Sequence, residues 1–448
     1  MAYVAVRGGQ EAIEASLALL AWERVRPGCS VEIKDIMAAF PDLIDQVMGE
    51  SSLYAPELAA LALKQAQGSC EEAVFLLRAF RSTLERPYVS CAVEPDAMRC
   101  SRRISAAFKD IPGGQILGAT RDYSHRLIDF NLRKESTDTV RELRREMKRI
   151  WKEGWEADGL CEGDGFGGDD GAEAAQDLLP EASVRPPKKG AKDAASPPLG
   201  AFGRLPKVAD YLRAQGLLAE YDADDATPAD ATMEPLVFPT PRSMRLQVLA
   251  RGMTQGVVAL GYAAIRGFGL GHPTVAELRY GEVEIAVEHP LGTPGASGDP
   301  LQAGRGDAYY LGAIPVTEVE GIFELEVENA DGGKEFTFDL GYGMVMGRGE
   351  TKAIAMSVLD FCLRSKDKRF PTQDEEFVLY HVDGIEATGF ISHLKLPHYV
   401  TFQSKLSSVR KAKDLAKGSA DKPADEPATG PADKSTDGGE GGNDDQAV

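Results

Sequence analysis

Cysteine is scarce and poorly placed for metal or disulfide chemistry. The six residues Cys29, Cys70, Cys91, Cys100, Cys161 and Cys362 include no C-x-x-C pair. That scatter excludes a thiolate zinc finger and a three-cysteine iron–sulfur motif in this chain, and it predicts reduced thiols in a cytosolic (cytoplasmic) protein. Positive charge is also in the minority: 50 Lys and Arg stand against 70 Asp and Glu, a formal net charge of −20. Phosphate contacts need local positive charge, so the balance excludes a general nucleic-acid binder. Long apolar runs are missing too. The run at 257–265 is interrupted by Gly261 and is too short for a bilayer, so no membrane partner is expected. The N-terminus shows no basic region followed by a continuous apolar stretch, as a secretory signal would. There is no internal repeat.

What is present suffices for a full core and two structured regions in 448 residues. Residues 3–6 form a short β-like run ended by Gly8-Gly9. Helical periodicity follows over 11–25, with Ile13, Leu17, Leu20 and Trp22 on one apolar face. A second amphipathic segment, 31–48, is broken near Pro41, and Pro56 sits where the first turn of another helix begins. A further helix spans 70–84 with Val74, Leu76, Leu77 and Phe80 inward. Residues 137–155 read as a charged helix. From 157 to about 203 the chain is rich in Gly, Pro and acids, with too few apolar residues to offset its ordering entropy. Residues 205–218 read as one short helix and 222–235 as a loop.

Helical character resumes over 242–265. A hairpin follows at 322–340, with Asp331-Gly332 in its turn. A glycine turn leads into a helix from about Glu350, and 377–382 reads as a strand. Beyond Phe402 a basic segment (Lys405, Arg410, Lys411, Lys413, Lys417) gives way to a Pro/Ala/Asp/Gly tail. The expected class is α+β: a helix-rich N-terminal region, 1–155, then a mixed α/β C-terminal region, 204–403, with a small, largely antiparallel sheet. A disordered insertion, 156–203, separates them, and 404–448 is a basic segment and tail.

Four places carry candidate chemistry. In the stretch GFISHLKLPHY, His393 and His398 lie five residues apart. That step rotates a side chain by roughly 140° on a helix and places it on the opposite face of a strand. Both rings meet one ion only if the backbone bends, and Pro397 supplies a bend. The spacing lies within that of zinc sites; one packed and one surface histidine is the alternative. Two ligands do not close a tetrahedral shell, so His381, Asp383 and Glu386, or a partner chain, must complete it. In GMVMGRGETK, Gly347 and Gly349 precede a helix N-terminus, where free amides bind phosphate oxygens, and Arg348 and Lys352 add charge. The order is not that of a P-loop, and an ordinary strand–turn–helix connection is equally compatible. Arg102-Arg103 with Lys109 reads either as a solvated helix face or as a basic patch. In DYSHRLIDF, His125 lies four residues before Asp129, adjacent if the stretch is helical, either as a catalytic or as a structural pair.

FISHLKLPHYVTF, DEEFVLYHVDGIEATG, MAYVAVRGGQEAI, SSLYAPELAALALKQA, RRISAAFKDIPGGQILG and DYSHRLIDF together closely resemble the I-subunit (PhnI) family of the bacterial carbon–phosphorus lyase core complex. The resemblance covers most of 1–150 and 235–405. It implies a subunit that, with companions, displaces adenine from MgATP by an alkylphosphonate to give a ribose phosphonate 5-triphosphate, and that resembles a nucleosidase alone. Such a reaction passes through an oxocarbenium-like sugar and needs a proton donor for adenine. His125, Asp129 and His272 are the candidates for that work, and Gly347, Arg348, Gly349, Lys352 and Arg251 for the triphosphate. The implied cofactors are Mg²⁺ with ATP and Zn²⁺ on His393 and His398 at a subunit interface. Later carbon–phosphorus cleavage is radical chemistry and falls to a partner holding the iron–sulfur cluster. The rival expectation is a non-catalytic scaffold completing a partner's metal site.

Overall fold

A computed structural model of the chain describes residues 9–157, 205–219, 228–269, 271–288, 308–328, 333–365 and 367–420. The expected strand at 3–6, the insertion, part of the 222–235 loop, the hairpin turn at Asp331-Gly332 and the tail lie outside these residues. The chain divides into two units, Met1–Thr388 and Gly389–Val448.

The first unit opens with helices α1 (Gly9–Val25), α2 (Ile33–Ala39), α3 (Pro41–Ser51), α4 (Pro56–Gln65) and α5 (Cys70–Arg81). Pro41 and Pro56 each sit at a helix start, where the missing N–H costs nothing. Ser69 caps α5 by accepting from the Glu72 amide, with Glu71 and Glu72 in the first turn. Ile44, Val47, Met48, Ala59, Ala60, Leu63, Val74 and Leu77 close a helical core among α2–α5. Helix α1 stays out of it: Ile13, Leu17, Leu20 and Trp22, its apolar face, are all at least half exposed. Phe80 is exposed as well.

The sheet comprises β1 (Arg99–Ile104), β2 (Thr274–Glu288), β3 (Ala308–Glu328) and β4 (Lys334–Met346), ordered β1-β2-β3-β4 and antiparallel throughout. The α+β expectation thus holds. The hairpin closes at Glu328 opposite Lys334. One face of the sheet presents Leu278, Val319 and Val345 to α10 (Glu350–Arg364). Ala353, Met356, Leu359 and Leu363 of α10 join Leu249 of α8 (Arg242–Arg251), Val257 of α9 (Thr254–Ala263) and Val378 and Leu379 of α11 (Glu375–His381). Glycine lets α10 lie this close: a Cβ on Gly341 or Gly343 would overlap the Ser357 or Ala353 carbonyl oxygen. Over the opposite face, Val208, Ala209 and Leu212 of α7 (Val208–Ala214) pack with Ile322 and Leu340. The charged helix α6 (Thr137–Ala157) precedes the insertion.

Two elements differ from expectation. Residues 377–382 are not a strand: the Asp374 carboxylate accepts from the Phe377 amide and starts α11. Arg102 and Arg103 are not a solvated helix face but buried residues of β1. Among the described residues no single helix is long and apolar enough to cross a membrane. The second unit holds the end of α12 (Gly384–Ser392), the 3-10 turn His393–Lys395 and α13 (Tyr399–Ala420).

Candidate functional site

The glycine turn between β4 and α10 forms as expected, with Gly347 at φ 68°. Its amides are already engaged. Arg348 N–H donates to Asp45 Oδ2 at 2.9 Å and Gly349 N–H to Thr317 Oγ1 at 3.2 Å. The Arg348 guanidinium lies 3.4 Å from Asp42 and 3.3 Å from Asp45. A carboxylate of α3 therefore occupies the place expected for phosphate. Burial pushes the Asp45 carboxyl above its usual range, against the pull of Arg348.

Lys352 is no exposed point charge. It is 4% exposed, and Nζ donates to the carbonyls of Ala250 at 2.7 Å and Gly252 at 2.6 Å. Burial lowers its ammonium to about 8. Arg251 is partly buried and donates to the Ala231 carbonyl at 3.0 Å. The turn at Arg348 and Gly349 and the Lys352 ammonium are thus engaged in joining α3, α8 and α10.

His125 and Asp129 do not share a helix. Residues 124–129 run irregularly between the short turns Arg121–Tyr123 and Phe130–Lys134, with both side chains exposed. Asp129 instead accepts from the Asn131 amide at 2.9 Å. His272 is exposed, its Nδ1 3.2 Å from the Pro273 carbonyl. The structure does not assemble these three into one site.

The histidine pair is brought together. Leu396 is extended before Pro397, and the bend leaves the rings of His393 and His398 with centroids 5.6 Å apart. His393 Nδ1 donates to the Phe390 carbonyl, and His398 Nδ1 to that of Leu396 at 2.6 Å. A carbonyl can only accept, so each Nδ1 carries a proton and Nε2 is the nitrogen of each ring left to ligate. Among the described residues no group of three or more His, Cys, Asp or Glu is placed to hold a metal. His381 stacks on Phe377, and Asp383 pairs with Arg78 at 2.8 Å while accepting from the Ile385 and Glu386 amides.

The face of the sheet opposite α10 carries a buried charged cluster that sequence reasoning missed. Glu277 accepts from both Arg103 Nε and Arg279 Nε, and from the Val208 amide. Burial pushes the Glu277 carboxyl up, but the two guanidinium bonds, the Arg279 charge and the Val208 amide together hold it below its usual range. Beside it, Lys207 Nζ donates to Glu318 at 2.8 Å and Glu320 at 3.0 Å, and Tyr342 Oη donates to Glu318 at 3.0 Å. Alternation of acid and apolar residues around Glu318 and Glu320 marks one face of a strand; only the packing of α7 shows that this face is covered.

The bacterial phosphonate metabolism protein model, PhnI, matches residues 2–416. The chain belongs to the PhnI family. It is 38% identical over 422 residues to HtxH of Stutzerimonas stutzeri, covering 93% of this chain and 97% of that protein. It is 36% identical to the alpha-D-ribose 1-methylphosphonate 5-triphosphate synthase subunits PhnI of Rhizobium meliloti (strain 1021) and Escherichia coli (strain K12). Those matches cover 91% of this chain and 94% and 98% of the two relatives. The family match spans the turn, the charged sheet face and the histidine pair alike.

Proposed function

We propose that this chain is a subunit of a carbon–phosphorus lyase complex in phosphonate catabolism. With companion subunits it displaces adenine from MgATP by an alkylphosphonate, giving a ribose 1-phosphonate 5-triphosphate; alone it acts as a nucleosidase. The observation that carries the reading is the 36% identity, over 91% of the chain, to two proteins named as subunits of that synthase. The apolar residues left exposed on α1 support a chain that works among partners, since large exposed apolar patches mark interaction surfaces. The reaction takes place in the cytoplasm, where the six thiols stay reduced. Radical cleavage of the carbon–phosphorus bond belongs to an iron–sulfur partner.

His393 and His398 fit a divalent ion, most simply zinc, because both rings are oriented by backbone carbonyls and present Nε2. A partner subunit supplies the remaining ligands. A zinc ion held by these two rings would supply Lewis-acid chemistry. The scaffold reading retains this one role and drops the glycosyl chemistry. It is favoured only by the shortage of a third ligand among the described residues.

The test is adenine release. Incubate the full chain with MgATP, alone and with its companion subunits plus methylphosphonate, and separate the products chromatographically. Free adenine in both, and the phosphonate-bearing ribose triphosphate in the second, is expected. No adenine under either condition overturns the synthase reading.

A further inference from the structure

We infer that Glu318 and Glu320 of β3, bridged by Lys207, are the acid–base pair of the glycosyl-transfer step: Glu320 protonates the departing purine and Glu318 faces the sugar cation. This rests on the synthase reading above and assigns its residues. Residues two apart on a strand share a face, so both carboxylates project to the same side of β3. In register, Glu320 stands opposite Glu277 and Tyr342, and Glu318 opposite Arg279 and Met344. Three carboxylates (Glu277, Glu318, Glu320) and three cations (Arg103, Arg279, Lys207) therefore meet under α7.

A purely structural network would satisfy every buried polar atom, because an orphan in a low-dielectric interior is costly. This one does not. Glu277 is saturated by Arg103, Arg279 and the Val208 amide. Glu320 is 8% exposed, yet its Oε2 has no partner, and Arg279 is 0% exposed, yet its Nη1 has none. A carboxyl oxygen and a guanidinium N–H are thus left over on one buried face, as a polar ligand requires. Solvent is one residue away: the Asp96 side chain, 3.3 Å from Lys207 Nζ, is 45% exposed.

The proton inventory fits. Burial pushes the Glu320 carboxyl up to about 6, opposed by Lys207 and reinforced by Glu318 and Glu277. Glu318 accepts from Lys207 and from Tyr342, which hold it beside Glu320 on the same face. In the step, the C1′–N9 bond breaks and its electron pair stays with the purine. The Glu320 proton passes to a purine ring nitrogen. The sugar cation, faced by the Glu318 carboxylate, takes an oxygen from phosphonate, or from water in the nucleosidase reaction. When water attacks, its proton restores Glu320; when the phosphonate oxyanion attacks, a proton from solvent does.

The experiment compares MgATP with its N7-methylated analogue, whose base leaves without needing a proton. Full-length wild type and Glu320→Gln are assayed for base release, with companion subunits present, and urea unfolding verifies that the variant folds. Release from MgATP should fall by about 10²–10⁴-fold in E320Q while release from the methylated substrate stays within about threefold of wild type. A merely structural glutamate would lower both alike, and that result overturns the assignment, as does unchanged release from MgATP. The wild-type pH profile serves if E320Q does not fold: release from MgATP should decline as pH rises through about 6, whereas the methylated substrate shows no such limb. Identical profiles for both substrates overturn the assignment. No base release by wild type overturns the synthase reading instead.

Discussion

Lys352 buries an ammonium beneath α10, and the two carbonyls it holds explain why a charged group is tolerated there. Those carbonyls belong to the end of α8 and the turn into α9, so Nζ joins three helices. Lys352→Ala leaves two buried acceptors unpaired and should cost about 1–3 kcal/mol in urea unfolding. Triphosphate affinity, read by calorimetry in the same variant, should be unchanged; a selective loss of ATP affinity would return Lys352 to the substrate site. The pH dependence has a definite sign. With the native ammonium lowered from 10.5 to about 8, the folded chain binds fewer protons than the unfolded chain between those values. Stability from this group therefore rises with pH across that window. Lys352→Met should abolish that rise in unfolding curves taken between pH 8 and 10.5. The sequence announced a lysine in the first turn of a helix after glycines, which is compatible with phosphate binding and with burial. Which one holds depends on Ala250 and Gly252, about a hundred residues away in sequence.

At the scale of elements, α10 and β4 form the packing unit that fixes the sheet. Gly341 and Gly343 remove the side chains that would hold the helix off the strand. Gly343→Ala would press a Cβ into the Ala353 carbonyl, and shifting α10 should cost about 1–3 kcal/mol or more. Gly49→Ala in α3 is the matched control: its Cβ would lie 3.9 Å from the nearest atom, so the change should be neutral or stabilising by up to about 1 kcal/mol. Chemical denaturation of the two variants checks the pair, and equal losses would show that glycine spacing does not set this contact. Helix starts at Pro41, Pro56 and Ser69, the hairpin at Glu328 and Lys334, and the start of α10 were legible because each has a local signal. The strand β1 was not, since Arg102-Arg103 lacks alternation and is buried by Glu350 and Glu277 from distant segments. The helix at 375–381 was misread although its signal was local: Asp374 followed by two glutamates is an N-terminal helix signature.

The whole molecule is legible as a subunit through its family. His393 and His398 were readable from spacing and Pro397; their carbonyl-fixed tautomers were not, because these depend on backbone bonds to Phe390 and Leu396. Two imidazoles are half of a tetrahedral shell, so metal retention should depend on assembly. In the assembled complex elemental analysis should find about one zinc per copy of this chain, and clearly less in the isolated chain. His393→Ala with His398→Ala should remove it. The variant should keep its fold, since His398 is exposed and neither ring belongs to a buried core cluster. Adenine release by the isolated chain should persist while phosphonate turnover by the complex is lost. Because metal binding requires neutral imidazole, occupancy should also fall as the complex is acidified. Equal zinc in wild type and variant would remove the histidines from the site. Full zinc in the isolated chain would show instead that this chain closes the shell by itself, and that no partner contributes a ligand.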